Sequence, residues 1–333
     1  MRESSKFRYI TVICLSTAFS LFSNILFANF LIEAKASGLL DRLMERQVDM
    51  VFVEELLSEA KYNERVIRLI SKPAEHLTWA KYRNIFLKKE RVTAGVKFYG
   101  KHKKLLERVA KIYKIPVAVI LAIVGVETYY GKIMGEFRVI DSLSTLAFKY
   151  PPRGKFFERQ LEELFLLSNE EPVDINSLLG SYAGAVGYGQ FIPSSYRVFS
   201  VDFNGDGVRD LVGSIDDAMG SVANYLSQHN WDHRLGLDLI SEIKVRNSKS
   251  NVFNALKFRK KAQTLAADGV SGIPQAWIKK NYPVSLLKLE VEGGFEQWAV
   301  TSNFKVITRY NRSPLYAMAV CQLALEIEAE LDS

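Results

Sequence analysis

Glu127 is the carboxylate best suited to acid–base chemistry, because it closes the most apolar run of the chain, Ile123-Val124-Gly125-Val126-Glu127-Thr128-Tyr129-Tyr130-Gly131. A carboxyl placed there loses hydration, which raises its pKa and keeps it protonated near neutral pH, the state a general acid requires. The plainer alternative is a Glu that marks where a buried helix surfaces. A second candidate is the stretch 181–196, in which Ser181, Tyr188, Gln190 and Phe191 are set among Gly184, Gly187 and Gly189. Glycines let backbone and ligand approach closely, Gln190 offers both a donor and an acceptor, and Tyr188 or Phe191 can pack on a sugar face. That mixture suits a carbohydrate groove. A tight helix-packing turn would account for Gly184 and Gly187 but not for the clustered polar groups.

The third candidate is Asp202-Phe203-Asn204-Gly205-Asp206-Gly207-Val208-Arg209-Asp210, with oxygen side chains at positions one, three, five and nine and Gly at six. This is the first half of a calcium loop of the EF-hand type, in which the Val208 carbonyl would supply position seven. Position twelve is Gly213 in place of Glu, so the last ligand would be Asp216 or Asp217. An Asx-rich turn without metal is the alternative. A Ca²⁺ (or Na⁺) held there would fix the loop beside the groove and would not enter the chemistry, for which no cofactor is expected. His102, His229 and His233 lack a zinc-like spacing to Cys or acidic residues, and the chain has no GxSxG elbow, P-loop or dinucleotide fingerprint.

The elements that would carry these residues are mainly helical. Pro116 can sit in the first turn of a helix that runs through the almost wholly apolar 117–126, and a helix apolar all round is a buried one. It should stop near Gly131, where positive φ is free. Apolar residues recur at three-to-four spacing over 38–72, and Leu105, Leu106, Val109 and Ile112 form one stripe within 96–114. After Trp231 the segments 240–245, 286–291, 298–300 and 305–308 are short and rich in β-branched or aromatic residues, and they read as strands of a small antiparallel sheet. Ser313-Pro314 then opens a last helix, 315–331. The expected architecture is α+β and mainly α: a helical domain over 29–115, joined by a C-terminal helix at 312–333; a helical core over 116–235 that contains the loop 202–217; and a small β subdomain over 236–311.

The 333 residues carry 44 Lys+Arg against 37 Asp+Glu, a net +7, with 48% hydrophobic and 24% charged residues. These proportions exclude a disordered, collagen-like or disulfide-rich chain. Arg2, Lys6 and Arg8 precede an uncharged run over 10–28, which reads as a signal peptide spanning 1–28, with an uncleaved membrane anchor as the alternative. Without those residues the balance is 41 to 36, and Cys321 is the one remaining thiol, so stability must come from packing. Ten of the bases against two acids lie in 88–114, and a second cluster is Lys257, Arg259, Lys260 and Lys261. With an export signal in front, such charge points to a polyanion such as a cell wall or membrane surface in preference to nucleic acid, although a solvated helix face would look the same.

Several motifs fall in a familiar order: Val124-Gly-Val-Glu127-Thr, Asp141-Ser-Leu-Ser-Thr-Leu-Ala-Phe148, Tyr150-Pro-Pro-Arg153, Gly184-Ala-Val-Gly-Tyr-Gly-Gln-Phe191, 202–211, Gly220-Ser-Val-Ala-Asn-Tyr225 and Thr308-Arg-Tyr-Asn311. From about Phe52 to Leu325 the chain closely resembles the membrane-bound lytic murein transglycosylase B family. The resemblance implies a goose-lysozyme-like catalytic core and cleavage of the β-1,4 bond between N-acetylmuramic acid and N-acetylglucosamine in peptidoglycan, leaving 1,6-anhydromuramoyl ends. By the same likeness Glu127 is the single acid/base, and Ser181 orients the substrate acetamido group. Gln190, Tyr225, Tyr310 and Asn311 match groove residues, Tyr82, Arg153, Phe191 and Tyr316 match residues that hold sugars or peptide, and Asp202, Asn204, Asp206, Val208 and a later Asp match the metal loop. The expected partner is the peptidoglycan glycan strand in the periplasm, bound by a monomer, with envelope machinery as a further candidate partner. No lipid-attachment cysteine is apparent, so the family's membrane attachment is not carried over. A hydrolytic muramidase and a non-catalytic wall-binding module are the rival functions.

Overall fold

The computed structural model describes residues 29–72, 77–245, 253–254 and 256–333; the expected signal peptide at 1–28, and residues 246–252 and 255 of the expected β subdomain, lie outside them. The first six helices are α1 (Phe30–Ala36), α2 (Leu39–Glu45), α3 (Met50–Glu59), α4 (Glu64–Ile70), α5 (Trp79–Phe86) and α6 (Lys89–Tyr113). The middle of the chain holds α7 (Val117–Thr128), β1 (Phe137–Arg138), α8 (Val139–Lys149), α9 (Gly154–Glu170), β2 (Leu179–Gly180), α10 (Pro193–Phe199) and α11 (Ile215–Gln228). Then come β3 (Ile240–Glu242), β4 (Lys244–Val245), β5 (Lys260–Lys261), α12 (Ala262–Ala267), β6 (Val270–Ser271), α13 (Gln275–Lys279), β7 (Pro283–Val291), β8 (Gly294–Val300), α14 (Ser302–Tyr310) and α15 (Pro314–Leu331). Among the described residues no single helix is long and apolar enough to cross a membrane.

The axis of the molecule is α7. Every residue in it except Val117 and Glu127 is buried, as a helix apolar all round requires, and α6, α11 and α15 pack around it. Its end differs from the glycine stop expected at 131. The helix closes at Thr128, and Tyr129 (φ 52°) and Tyr130 (φ 60°) are both left-handed before Gly131 (φ 84°). Their amides return to the carbonyls of Gly125 and Val124, which satisfies two orphan acceptors. Two left-handed tyrosines in succession are unfavourable, and packing holds them: the Tyr130 phenol donates to the Arg91 carbonyl and lies in a slot made by two glycines. An added Cβ would stand 2.5 Å from that phenol oxygen at Gly95 and 2.7 Å at Gly125. Gly125→Ala is therefore expected to lower stability by about 1–3 kcal/mol through overpacking, despite the better helix propensity of Ala. Thermal unfolding checks this, and an unchanged or raised midpoint would mean that the slot can open.

One continuous buried cluster runs from Phe30 to Ile327, with no break at residue 115, and a second cluster around Leu265, Trp277 and Leu286 belongs to the sheet region. The main sheet is antiparallel in the order β3-β8-β7-β5, with the β7–β8 hairpin in register from Ser285 opposite Val300 to Val291 opposite Gly294. Glu296 on β8 ties it to the helices by accepting from Trp79 Nε1 (3.1 Å) and Arg83 (2.9 Å) on α5.

Two expectations fail. Residues 305–308 are not a strand but part of α14: Asn303, Phe304, Val306 and Ile307 are its buried positions, a three-to-four stripe that β-branched content disguised. Ile112 is 57% exposed and leaves the stripe of Leu106 and Val109: all three lie beyond the non-helical residue His102 on one helical segment, and Ile112 falls in its last turn, one residue before the helix ends at Tyr113.

Candidate active site

The end of α7 carries one carboxylate. Glu127 is partly buried, and its Oε1 accepts a 2.6 Å hydrogen bond from the Tyr316 phenol on α15. Burial drives its pKa up from the usual carboxylate range to about 7, against the opposing pull of the Tyr316 hydrogen bond. Among the described residues no other carboxylate contributes to that shift. Tyr316 is positioned by the Ser313-Pro314 start of α15, where the Ser313 side chain accepts from the Tyr316 amide. Its own phenol is pushed up by burial first and by Glu127 second, so it stays a donor.

Behind Tyr316 stands a cluster of rings. Tyr310 stacks on it at 6.5 Å and 12° and donates to the Gly189 carbonyl (2.7 Å), while Tyr225 packs edge-on to Tyr310 and donates to the Arg309 carbonyl (2.6 Å). Phe191 lies against both, at 5.8 Å from each. Tyr82 is 7% exposed and held between Trp79 and Phe86.

The turn 181–191 packs on the end of α7 through Thr128 and on the ring cluster through Tyr310. Ser181 Oγ accepts from the amides of Ala183 (3.3 Å) and Ala185 (3.1 Å), which leaves its O–H as a donor. Gln190, left-handed at φ 50°, donates from Nε2 to the carbonyls of Met134 (3.0 Å) and Gly187 (3.1 Å). The Tyr188 ring lies on Gly131, where a Cβ would come within 2.2 Å of it. Asn311 and Arg153 are exposed, and Arg153 stands over the rings of Phe156 (4.4 Å) and Phe157 (5.2 Å).

Further along, the loop 202–217 gathers the carboxylates of Asp202, Asp206 and Asp217, whose candidate ligand atoms lie within 4.8 Å of one another. Asp217 is fully buried and accepts from the amides of Phe203 (2.8 Å), Asn204 (3.3 Å) and Asp210 (3.0 Å), with no cationic side chain on it. Asp216 points the other way, to Arg108 at 3.3 Å.

A model of the transglycosylase SLT domain matches residues 32–325. The chain belongs to that family. It is 37% identical over 308 residues, 89% of this chain and 82% of the other, to membrane-bound lytic murein transglycosylase B of Escherichia coli (strain K12). Two solved structures illustrate the likeness. One is the Escherichia coli lytic transglycosylase Slt35 in complex with calcium (TM-score 0.78, 36% identity, 90% of this chain and 94% of that one). The other is SltB3 from Pseudomonas aeruginosa in complex with NAG-anhNAM-pentapeptide (TM-score 0.77, 27% identity, 90% and 80%). The protein is a peptidoglycan lytic transglycosylase, with a mainly helical, lysozyme-like fold.

Within this transglycosylase the sequence-derived site residues divide. Glu127, Tyr225, Tyr310 and Tyr316 are linked by the contacts above, and Ser181, Tyr188 and Gln190 lie on the turn that packs against them, but two assignments change. Phe191 is 2% exposed under Tyr225 and Tyr310, so its ring supports the groove from behind and is not a platform for a sugar. Asp216 is drawn off by Arg108, so Asp217 is the member that completes the acidic cluster. Two contributors went unseen, and a third, Tyr316, takes a different part from the one expected. Thr128 donates to the Tyr188 carbonyl (2.9 Å) and accepts from the Gly131 amide (3.0 Å), tying the turn to the end of α7; its adjacency to Glu127 was the only signal. Arg91 donates to the Gly125 carbonyl and lies over the rings of Phe86 and Tyr129, a long-range contact that no local pattern announces. Tyr316 touches Glu127 itself, a closer role than holding sugar.

Proposed function

We propose that Glu127 works alone as acid and base in forming 1,6-anhydromuramoyl ends. The observation that carries this reading is a carboxyl poised at about 7 by burial with no second carboxylate acting on it, since paired-carboxylate hydrolysis needs a partner that stays ionised nearby. The Glu127 proton passes to the glycosidic oxygen as the C1–O bond of muramic acid breaks, and the substrate's own acetamido oxygen closes onto C1. The resulting carboxylate then takes the proton of the C6 hydroxyl as O6 displaces the acetamido oxygen, which restores protonated Glu127 without consuming water. Ser181, with its O–H free, orients the acetamido group; Tyr316 fixes the carboxyl; Gln190 and Tyr310 brace the turn and the ring wall of the groove. Tyr82, Arg153, Tyr188, Tyr225 and Asn311 complete the surroundings in which the strand lies. The peptidoglycan fragment held by SltB3 supports a glycan in this groove.

The residues of the loop fit a structural calcium ion: a buried carboxylate without a cationic partner, two more within ligand distance, and the calcium complex of Slt35 all support it. Asp202, Asn204, Asp206, the Val208 carbonyl and Asp217 would hold it, and the ion would supply charge neutralisation only. The apolar N-terminal run and the substrate support a periplasmic location.

Mass spectrometry of digested peptidoglycan tests the reaction: anhydro ends support it, reducing ends sink it in favour of hydrolysis, and intact glycan leaves a binding module. The Tyr316 hydrogen bond pulls the Glu127 pKa down, so Tyr316→Phe should move the alkaline limb of the kcat/KM profile upward while lowering its height. A limb that moved downward would contradict the assignment of the shift to burial opposed by that bond.

A further inference from the structure

A basin of about 480 Å³ opens where α14 ends and α15 begins, and its wall holds five cations, Lys257, Arg259, Lys305, Arg309 and Arg312, with no carboxylate among its lining residues. We propose that this basin binds the carboxylates of the peptide stem carried by the glycan, a reading that rests on the transglycosylase activity proposed above.

The charges are arranged at a cost to the fold. Lys305 and Arg309 stand four residues apart on one helix, where like charges repel. Arg312 stands two residues before α15, at the positive end of an 18-residue helix dipole, where a cation is disfavoured. Lys257 and Arg259 project from a segment whose Leu256 (φ 43°) and Phe258 (φ 50°) are both left-handed, a strained backbone for such side chains. None of the five forms an ion pair with a described carboxylate. An anionic ligand would offset all of these unfavourable terms, and the arginine forks suit carboxylates in particular.

Position identifies the ligand. The helix ends that frame the basin are the ones that carry Tyr310 and Tyr316, the rings beside Glu127, so the basin lies at the same end of α14 and α15 as the catalytic carboxylate. The fields of Arg309 and Arg312 reach the Tyr225 phenol among those rings and oppose the rise that burial causes. A muramoyl residue placed for cleavage projects its peptide away from the glycan axis, and a stem bears several carboxylates separated by short apolar side chains. Beside the cations an apolar recess with Phe258, Val284 and Leu286 provides room for such side chains. The surface is concave, which favours a flexible chain over a flat anionic bilayer, and it lacks the aromatic face that a bare sugar would use.

The test is calorimetric titration of two disaccharides, N-acetylglucosaminyl-N-acetylmuramic acid with and without a tetrapeptide stem. The titrated proteins are the wild type and the Arg259→Gln/Lys305→Gln/Arg312→Gln variant, whose altered side chains line the basin and not the catalytic groove. Neither ligand contains the scissile linkage, so binding is read apart from turnover, and the anhydro-end assay reports separately on the activity. The stem should improve wild-type affinity at least about tenfold at low salt, an advantage that added salt erodes and the triple variant loses. An undiminished stem advantage in the variant, or none in the wild type, overturns the proposal. So does binding to phosphatidylglycerol vesicles that the variant loses without any stem effect, which would assign the basin to a lipid surface.

Discussion

Glu127→Gln should abolish formation of anhydro ends, with a loss of about 10³-fold or more in kcat, while the variant still binds peptidoglycan. The amide keeps the size of the side chain and an oxygen that can accept from Tyr316, so the groove is preserved while the transferable proton is removed. Stability moves in the opposite direction. The folded-state pKa is about 7 against 4.5 for an ordinary Glu, so between those values the folded protein binds more protons than the unfolded one. Its stability therefore declines as pH rises through that window, and above about 7 the ionised carboxylate costs on the order of 3 kcal/mol. Gln has nothing to ionise. The variant should thus melt above the wild type at pH 8 and close to it at pH 4.5, and wild-type turnover should fall as pH rises past 7. Thermal unfolding at the two pH values checks the first expectation. A variant no more stable at pH 8, or one that retains appreciable turnover, would remove Glu127 from its assigned role.

That Glu127 was readable from sequence while Tyr316 was underrated has a physical reason. Desolvation is a local property: ten apolar residues before a carboxyl announce a buried helix end whatever packs on it. The phenol that touches Glu127 is 189 residues away, brought in by the packing of α15 on α7, and no periodicity encodes that pairing. The same distinction separates Asp217 from Asp216. Adjacent on the chain, they point to opposite sides of a helix start, one into the loop and one to Arg108, and only the fold chooses between them. Residues 305–308 read as a strand because β-branched residues were weighed over the wider stripe of Asn303, Phe304, Val306 and Ile307. In the groove, glycines and polar groups marked the turn correctly, yet burial turned Phe191 from a surface ring into a support.

Asp217→Ala should produce the largest loss of stability of any change in the loop. Its carboxylate is fully buried and receives three backbone amides, so truncation strands three donors and removes the inner charge of the acidic cluster. A cost of about 3 kcal/mol or more follows before any metal is considered. Calcium at about 100 times its Kd would add nearly 3 kcal/mol to the wild type, a rise of roughly 5 °C or more in the midpoint, and a chelator should take that rise away. In Asp217→Ala the chelator should do little, and in Asp216→Asn it should act as in the wild type, because Asp216 is engaged with Arg108. The loop also reaches the groove. The Leu211 carbonyl accepts from the Tyr188 amide, and a Cβ at Gly187 would come within 2.2 Å of that same oxygen, so the turn carrying Gln190 rests directly on the loop. Loosening the loop should therefore weaken glycan binding and raise KM by more than it lowers kcat. Identical wild-type midpoints with and without chelator would reduce 202–217 to a metal-free turn, and a fall confined to kcat would break the link between that turn and the groove.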